Sequence, residues 1–518
     1  MSFPYSPLPT PHSLLPTPFL SPLPTFSEPP RKGFVRYNRS RLVSGGILQN
    51  QKPFFQWEQW MNKRLILAAF ALAAALLLSG VWAQAQQPAP SQPAAEAIRQ
   101  QTFDIVWRTV KEKHFDPAMG GVDWDKVRET FAPRAAAVKS DQELYRLLQE
   151  MLGELHQSHF SVIPPESVIS DDQNEPSNAG GAGVDLRLIG GAPMITRVEP
   201  DSSASKAGLR PGFLIKQIGD KPVEQIVTAF AKSAQRPELK NIYITRRVLA
   251  TINGDPGTSV RIVYLDDKDR TRETTLTRER LKGELSPKLG NFPPQYTEFE
   301  TKRIANNPAN SSTNSSNGSG YIGYIRFNIF TTPVIEKLKA AITDFSGADG
   351  MIFDLRGNPG GVGGIAMTIA GKICEKPGLL GTMKMRSGEM KFAIFPQTNP
   401  YTGPIAVLID GMSASTSEVF SSGIQEMGRA VIVGERSAGA ALPSVFQKLP
   451  TGALFQFAIA DFKTPKGVLV EGRGVIPDIE VKYDRASLLA GRDAQLEAAI
   501  EQIRESQQKA RRNPSAAK

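Results

Sequence analysis

The chain has 518 residues, of which 40% are apolar and 22% charged, a composition typical of a globular protein long enough for several domains. Its single cysteine, Cys374, excludes a disulfide scaffold. The formal net charge is +10, but the first 60 residues contribute +4 and the next 25 contribute +2. The remaining +4 gives no reason to expect nucleic acid as a partner.

The N-terminal 85 residues predict a secretion signal that follows a segment outside the native protein. Residues 1–60 hold eleven of the 40 prolines and show neither helical nor strand periodicity. Residues 61–85 then combine a basic start, an apolar run too short to span a bilayer comfortably, and an Ala-Gln-Ala cleavage site. We therefore expect translation to begin at Met61, and a periplasmic or secreted protein that keeps no membrane anchor after cleavage.

A Pro/Ala/Gln-rich linker over residues 86–95 leads to a helical region predicted over residues 96–171. Leucine and methionine recur at helical spacing through residues 141–155, and two histidines follow this stretch. The spacing of His156 and His159 would suit a metal, but no HExxH motif, cysteine pair or third ligand accompanies them, so we expect none. A histidine at the end of an element beside a cleft better suits a general base.

Residues 172–284 carry glycine-rich turns between short apolar stretches, including AGLRPG at residues 207–212. An earlier turn consists of Gly181, Ala182, Gly183 and Val184. These sequences resemble a PDZ domain, whose glycine-rich loop receives a peptide's terminal carboxylate while the peptide adds as a strand. Residues 232–253 look like an insertion before the last strands. Such a module would bind the C termini of substrates at a distance from the catalytic site.

Two loops in the region 285–484 follow strand-like apolar runs. Residues 354–361 read DLRGNPGG after one run, and residues 411–418 read GMSASTSE after the run at 405–409. A serine between a buried strand and a helix lies beside unpaired helix N–H groups, which is where a nucleophile belongs, although N-capping is the usual role of such a serine. Residues 485–518 predict a C-terminal helix and tail.

The glycine loop offers amides for an oxyanion hole. Backbone N–H groups of Thr416 and of Gly360 or Gly361 could converge beside Ser415, because both loops leave the ends of strands. Residues 361–366 formally match the dinucleotide fingerprint G-x-G-x-x-A. The preceding loop separates that match from its strand, and no acidic residue ends a second strand at the required distance, so we expect no nucleotide cofactor.

The sequences SASTSEVF, DLRGNPGG and GVIPDIEV together resemble the C-terminal processing and tricorn-type serine peptidase family, over about residues 96–503. The resemblance implies an α/β fold: a peptidase core of ClpP/crotonase-like type with an inserted PDZ domain and an N-terminal helical cap. In the processing branch the middle serine of S-A-S-x-S-E is the nucleophile, here Ser415. A lysine base follows in G-E-x-x-x-G-K, whereas this chain reads GERSAGA and ends that motif at Ala440.

Tricorn-type members instead use a Ser-His pair, a distant nucleophilic serine and a glutamate before P-D-I-E-V. The matching residues here are Ser158, His159, Ser415 and Glu471. The resemblance implies that His159 is the general base and that Glu471, directly or through Ser158, orients its imidazole. An ordinary histidine base would make activity fall on acidification near pH 6 to 7. Later lysines, Lys448, Lys463 and Lys466, are out of register with the missing base and are expected at the surface.

The sequence thus predicts a serine endopeptidase that cleaves proteins or peptides through an acyl-enzyme, without cofactors, and recognises free C termini through its PDZ domain. It is compatible with an oligomer. The alternative is a catalytically degenerate relative that binds C termini without cleaving, which Ala440 suggests.

Overall fold

The computed structural model describes residues 92–168, 179–231, 235–306 and 320–512. The expected upstream segment, signal peptide and most of the linker lie outside these residues, as does most of the Asn/Ser-rich stretch at residues 305–320. Of the helices in the described ranges, none is long and apolar enough to cross a bilayer.

A helical region opens the described chain. Its helices are α1 (Gln92–Lys113), α2 (Trp124–Ala137) and α3 (Asp141–Gly153), with 3₁₀ turns at Met119–Gly121 and Pro165–Ser167 and a strand β1 (Ser161–Ile163). Helix α3 begins where the hydroxyl of Ser140 accepts the N–H of Glu143 at 3.2 Å, a standard N-cap. Its predicted apolar stripe is buried, so the periodicity correctly indicated both the helix and its inward face.

A middle unit, comprising residues 179–231 and 235–284, is built on an antiparallel sheet. Its elements are β2 (Gly180–Gly181), β3 (Val184–Ile189), β4 (Ala192–Val198), α4 (Ser203–Lys206), β5 (Leu214–Ile218), β6 (Lys221–Pro222), α5 (Val223–Ala231), α6 (Pro237–Ile252), β7 (Ser259–Leu265), β8 (Thr271–Thr277) and β9 (Glu279–Arg280). The sheet order is β3-β4-β5-β7-β8, with β6 paired to β5. Helix α6 occupies most of the stretch that resembled an insertion, and its Ile244, Val248 and Ile252 are buried in the core of this unit.

The remaining chain corresponds to the predicted peptidase core and is called the peptidase region. Its elements are β10 (Glu284–Leu285), β11 (Tyr296–Thr297), β12 (Phe299–Ala305), β13 (Tyr321–Phe327), α7 (Thr332–Asp344), β14 (Gly350–Asp354), α8 (Gly363–Ile373), β15 (Gly378–Met385), β16 (Gly388–Ile394), β17 (Ile405–Ile409), α9 (Thr416–Glu426), β18 (Val431–Gly434), β19 (Ser444–Lys448), β20 (Leu454–Ala458), β21 (Ala460–Lys463), β22 (Ile479–Glu480), α10 (Arg485–Leu489) and α11 (Ala494–Arg512).

A six-stranded sheet of order β12-β13-β14-β17-β18-β22 is its centre. Strands β13, β14, β17, β18 and β22 run parallel, and β12 is antiparallel at one edge. All residues of β14 and β17 are buried, because α7, α8 and α9 cover one face of the sheet and α11 covers the other. The chain therefore has a mixed α/β fold, in agreement with the fold class expected from its sequence.

Sheet pairing brings the two predicted loops together. Strands β14 and β17 are parallel neighbours, with Asp354 opposite Leu408, so the glycine loop and the serine loop leave the same edge of the sheet. Strand β1 pairs antiparallel with β20, so the helical region ends against the peptidase region. His159 lies two positions before β1. The pairing of β1 with β20 brings it towards the edge of the sheet from which the two loops leave.

Candidate active site

Ser415 lies at the junction of β17 and α9 with an unusual backbone. Its φ is 55° and its ψ is −118°, a strained conformation for a residue with a side chain. Its N–H donates to the carbonyl of Ala440 at 2.8 Å and to the Glu418 carboxylate at 3.1 Å. The residue is half-buried and lines a cavity of about 720 Å³, so its hydroxyl is presented on a fixed turn beside open space.

The carboxylate of Glu418 holds this turn in place. Besides the N–H of Ser415, it accepts the hydroxyl of Ser437 at 2.6 Å and the amides of Gly439 and Ala440 at 2.8 and 2.9 Å. Burial raises the pKa of Glu418 to about 7, against the effect of these donors. Sequence reasoning missed this role, although Ser-x-x-Glu before a helix is a signature of reciprocal capping.

His159 is linked to Glu471 through Ser158. The hydroxyl of Ser158 lies 2.7 Å from His159 Nδ1 and donates to Glu471 Oε2 at 2.8 Å, while the backbone N–H of Ser158 donates to Glu471 Oε1 at 2.9 Å. A serine hydroxyl has one hydrogen, so Ser158 must accept the Nδ1–H of His159. This leaves Nε2 of His159 unprotonated, and that nitrogen can accept a proton.

Glu471 has two further donors. Arg236, at the start of α6, donates to its Oε1 at 2.7 Å, and the amide of Ala441 donates to Oε2 at 3.0 Å. Burial raises the pKa of Glu471 and the charge of Arg236 opposes this shift. Sequence analysis did not identify Arg236 as a site residue, because it lies in the stretch that resembled an insertion. The Arg236 guanidinium also donates to the carbonyl of Gly439 at 3.1 Å, which ties α6 to the loop beneath Ser415.

The imidazole of His159 shares the cavity with Ser415. Burial, followed by the charge of Arg246, lowers the pKa of His159 to about 4, so the ring is neutral near pH 7. His159 has a φ of 61°, which places a second strained residue at this cavity. Among the described residues, no hydrogen bond joins the imidazole to the hydroxyl of Ser415; such contacts often form only when substrate binds.

The amides near Ser415 differ in their availability. The N–H of Gly360 already donates to the side chain of Asn358 at 2.9 Å. The N–H groups of Gly361 and Thr416 have no acceptor among the described residues, and both residues line the cavity. The hydroxyl of Thr416 donates to the carbonyl of Gly361 at 2.8 Å and holds the two amides together.

Glycine is needed at position 360 because the chain approaches closely there. A Cβ on Gly360 would lie 2.7 Å from Cβ of Ser415 and from the amide nitrogen of Thr416, and the residue has a φ of 97°. Any side chain would therefore push the glycine loop away from the serine loop.

An apolar cluster replaces the lysine of the processing branch. Ala440 is buried with the residues Leu239, Ile242, Met412, Ala414 and Ala438. The three later lysines, Lys448, Lys463 and Lys466, are exposed. No lysine lines the cavity within the described residues, whereas His159 does.

The glycine-rich turn of the middle unit lies at another cavity. Gly181, Gly183 and Val184 line a space of about 220 Å³, and the carbonyl of the buried Ala182 accepts the amide of Ala204 at 3.0 Å. The structure thus separates these residues from the cavity of Ser415, while α6 of the same unit reaches that cavity through Leu239, Ile242, Tyr243 and Arg246.

Similar proteins agree with this architecture. Residues 321–481 match the model of peptidase family S41, and residues 95–153 match that of the tricorn protease C1 domain. A carboxyl-terminal-processing protease of Synechocystis sp. is 24% identical over 402 residues, which cover 76% of this chain and 84% of the relative. Tricorn protease homolog 1 of Streptomyces coelicolor is 26% identical over 419 residues, 79% of this chain and 35% of the relative.

Solved structures share the fold. A photosystem II D1 C-terminal processing protease superposes with a TM-score of 0.52 at 22% identity, covering 78% of this chain and 96% of its own. Mature CPAF superposes with a TM-score of 0.57 at 14% identity, covering 80% and 98%. The chain therefore carries a family S41 peptidase domain together with a tricorn C1 domain, is similar to carboxyl-terminal-processing proteases, and is a serine-type peptidase.

Proposed function

We propose that this protein is a secreted or periplasmic serine endopeptidase that cleaves polypeptides through an acyl-enzyme, with Ser415 as nucleophile and His159 as general base. The observation that carries the proposal is the hydrogen-bonded series Glu471–Ser158–His159, which ends at the cavity that Ser415 lines. The series supplies the orienting group and the base, and Ser415 supplies the nucleophile, in the order that serine catalysis requires.

In the first step the hydroxyl oxygen of Ser415 attacks the peptide carbonyl carbon while Nε2 of His159 takes the hydroxyl proton. The imidazolium is stabilised by Ser158, whose hydroxyl already donates to the carboxylate of Glu471. The C–N bond then breaks, and His159 returns the proton to the leaving amine. The acyl group remains on Ser415.

The carbonyl oxygen becomes an oxyanion during this attack. We assign its donors as the amides of Gly361 and Thr416, because the amide of Gly360 is occupied by Asn358. Thr416 also begins α9, whose N-terminal dipole favours negative charge. A single donor of this kind is commonly worth about 3 kcal/mol in the transition state.

The second step releases the N-terminal product. A water molecule enters, His159 takes one of its protons, and the hydroxide adds to the acyl carbon. The ester bond to Ser415 breaks as His159 returns the proton to the serine oxygen. This step reuses the same base and the same two amides.

Recognition of substrate C termini by a PDZ domain is the further part of the proposal. It is supported by the edge position of β3 in the middle unit, where an added peptide strand could pair, and by the glycine-rich turn Gly181–Ala182–Gly183–Val184 that precedes it. Amidating the C terminus of a sensitive polypeptide should slow its cleavage. Unchanged cleavage would remove carboxylate capture at this turn from the proposal.

Labelling with a fluorophosphonate tests the catalytic assignment. We expect the parent protein and the Ser444→Ala variant to be labelled and the Ser415→Ala variant to remain unlabelled; Ser444 lines the same cavity but lies on β19, away from the amides of the oxyanion site. The alternative of a protein that binds without cleaving is not favoured, since the curated relatives are proteases. If the parent protein were not labelled, this result would support the alternative of a protein that binds without cleaving.

A further inference from the structure

Arg246 gives the active-site cavity a single fixed charge. Among the described residues that line this cavity, Arg246 is the sole arginine or lysine, and none is aspartate or glutamate. Much of the remaining lining is apolar and includes Leu239, Ile242, Phe292, Met367 and Phe392. The cavity therefore combines one cation with apolar walls.

The guanidinium of Arg246 is unpaired within the described part of the chain. It forms no ion pair and no hydrogen bond with another described residue. Arg236 provides the contrast: it lies just before the same helix and donates to Glu471 at 2.7 Å. The Arg246 side chain is exposed and lines the cavity. Partial desolvation beside the cavity walls lowers the pKa of its guanidinium, which nevertheless stays charged at neutral pH.

Helix α6 fixes the position of this arginine. Ile244, Val248 and Ile252 are buried in the middle unit, which leaves Leu239, Ile242, Tyr243 and Arg246 on the face that lines the cavity. The Arg246 guanidinium has no carboxylate partner among the described residues, so a ligand carboxylate in the cavity could form a charge-assisted pair with it.

The side of the scissile bond also follows from the geometry. Arg246 and His159 line the same cavity, and the charge of Arg246 contributes to the lowered pKa of the imidazole. In the proposed mechanism His159 delivers its proton to the leaving amine, which places it on the leaving-group side of the substrate. Arg246 therefore faces the part of the substrate that departs first.

We propose that Arg246 determines specificity by binding a substrate carboxylate on the leaving-group side of the scissile bond, either an acidic side chain or a nearby C terminus. The proposal rests on the function proposed above. It differs from terminal recognition at the glycine-rich turn, because that turn lies at a separate cavity.

Matched peptides test the proposal in two arms. One arm compares glutamate with glutamine at each of the first three leaving-group positions, and the other compares a free with an amidated C terminus placed within those positions. We expect the parent to prefer at least one carboxylate by about tenfold in kcat/KM, the size expected for a hydrogen-bonded charge. The arm that shows the preference identifies the source of the carboxylate.

Variants assign the preference to Arg246. Arg246→Gln should abolish it, Arg246→Lys should retain part of it because lysine keeps the charge but loses the bidentate geometry, and Arg247→Gln should leave it unchanged. Arg247 is the exposed neighbour on the same helix and does not line the cavity. Using ratios between paired substrates cancels any general effect of Arg246 on His159.

A binding assay separates this proposal from the catalytic one. Affinity of leaving-group peptides for the Ser415→Ala protein, measured by fluorescence anisotropy, does not require cleavage. Carboxylate-dependent binding that Arg246→Gln removes would support the proposal even if Ser415 failed to label in the parent. The absence of a carboxylate preference in the parent, or a preference that survives in Arg246→Gln, would overturn the proposal. If the Gln variant is unstable, comparison of the parent with Arg246→Lys still tests the proposal.

Discussion

The guanidinium of Arg236 donates to the carboxylate of Glu471 at 2.7 Å and joins two segments 235 positions apart in the chain. The contact fixes the carboxylate that, through Ser158, orients the imidazole of His159. Among the described residues, Arg236 forms no hydrogen bond with Ser415 or His159 and acts through Glu471, so we regard it as a positioning residue.

Replacing Arg236 by glutamine should lower kcat by ~10-fold and change KM little, as expected when a supporting contact is lost. Arg236→Lys should recover part of the rate, and Arg247→Gln should behave as the parent. Steady-state kinetics on a neutral peptide provide the measurement. A change confined to KM would indicate that Arg236 contacts substrate instead.

Ser415→Ala and His159→Ala should each reduce kcat by several orders of magnitude, and the double variant should be no slower than the slower single variant, because both act in one step. Ser158→Ala and Glu471→Gln should each lower kcat by a smaller factor, and by about the same factor, since both interrupt the same orienting series. Single-turnover rates with an activated ester can resolve these residual activities. Full activity in His159→Ala would contradict a histidine base.

The pH dependence should reflect the buried state of His159. Its pKa is lowered to about 4, chiefly by burial, so the imidazole remains an unprotonated base down to more acidic pH than an ordinary histidine. We expect kcat/KM to fall as the pH drops through about 4, below the range of pH 6 to 7 that the sequence suggested. A profile with circular dichroism at each pH will distinguish titration from unfolding. An acid limb near 6.5 in both the parent and Glu418→Gln would show a solvated imidazole, because the variant removes the carboxylate that titrates at about 7.

The pH dependence of the protein's stability should reflect the titration of Glu418. Its folded pKa is raised from 4.5 to about 7, so its contribution is complete below pH 4.5 and is lost as the pH rises to about 7. Relative to Glu418→Gln, the parent should lose about 3 kcal/mol across this window. Melting curves of the parent, Glu418→Gln and the exposed control Glu480→Gln measure the difference. Equal pH dependence in all three would contradict the raised pKa.

Restoring the lysine of the processing branch should not improve the enzyme. Ala440 is buried beside Leu239, Ile242 and other apolar side chains, so Ala440→Lys would remove an ammonium group from water among these side chains. We expect a lower Tm and no gain in activity. Ala490→Lys adds the same charge at an exposed position and should leave both unchanged. Higher activity in Ala440→Lys would mean that the cluster can accommodate a second base.

The sequence predicted the parts of this site that local patterns specify. Five apolar residues identified β17 and its serine turn correctly, and the helical stripe before His159 located α3. Helix α9 begins at Thr416, directly after the serine, because Ser415 and Glu418 organise its first turn with polar groups.

Local sequence patterns did not predict the tertiary contacts of the site. Arg236 and Arg246 carry no local signature, since an arginine on an amphipathic helix is usually solvated. Their roles depend on α6 lying across the serine loop, a packing arrangement that no periodicity in the chain encodes. The choice between Gly360 and Gly361 likewise depended on which amide Asn358 already occupies.

Helix α6 belongs at once to the core of the middle unit and to the wall around Ser415. Exchanging or deleting the middle unit would therefore also remove the partner of Glu471 and part of the substrate cavity. A chimera built to transfer terminal recognition from a relative would alter bond cleavage in the same operation, so any new preference could not be credited to peptide docking alone.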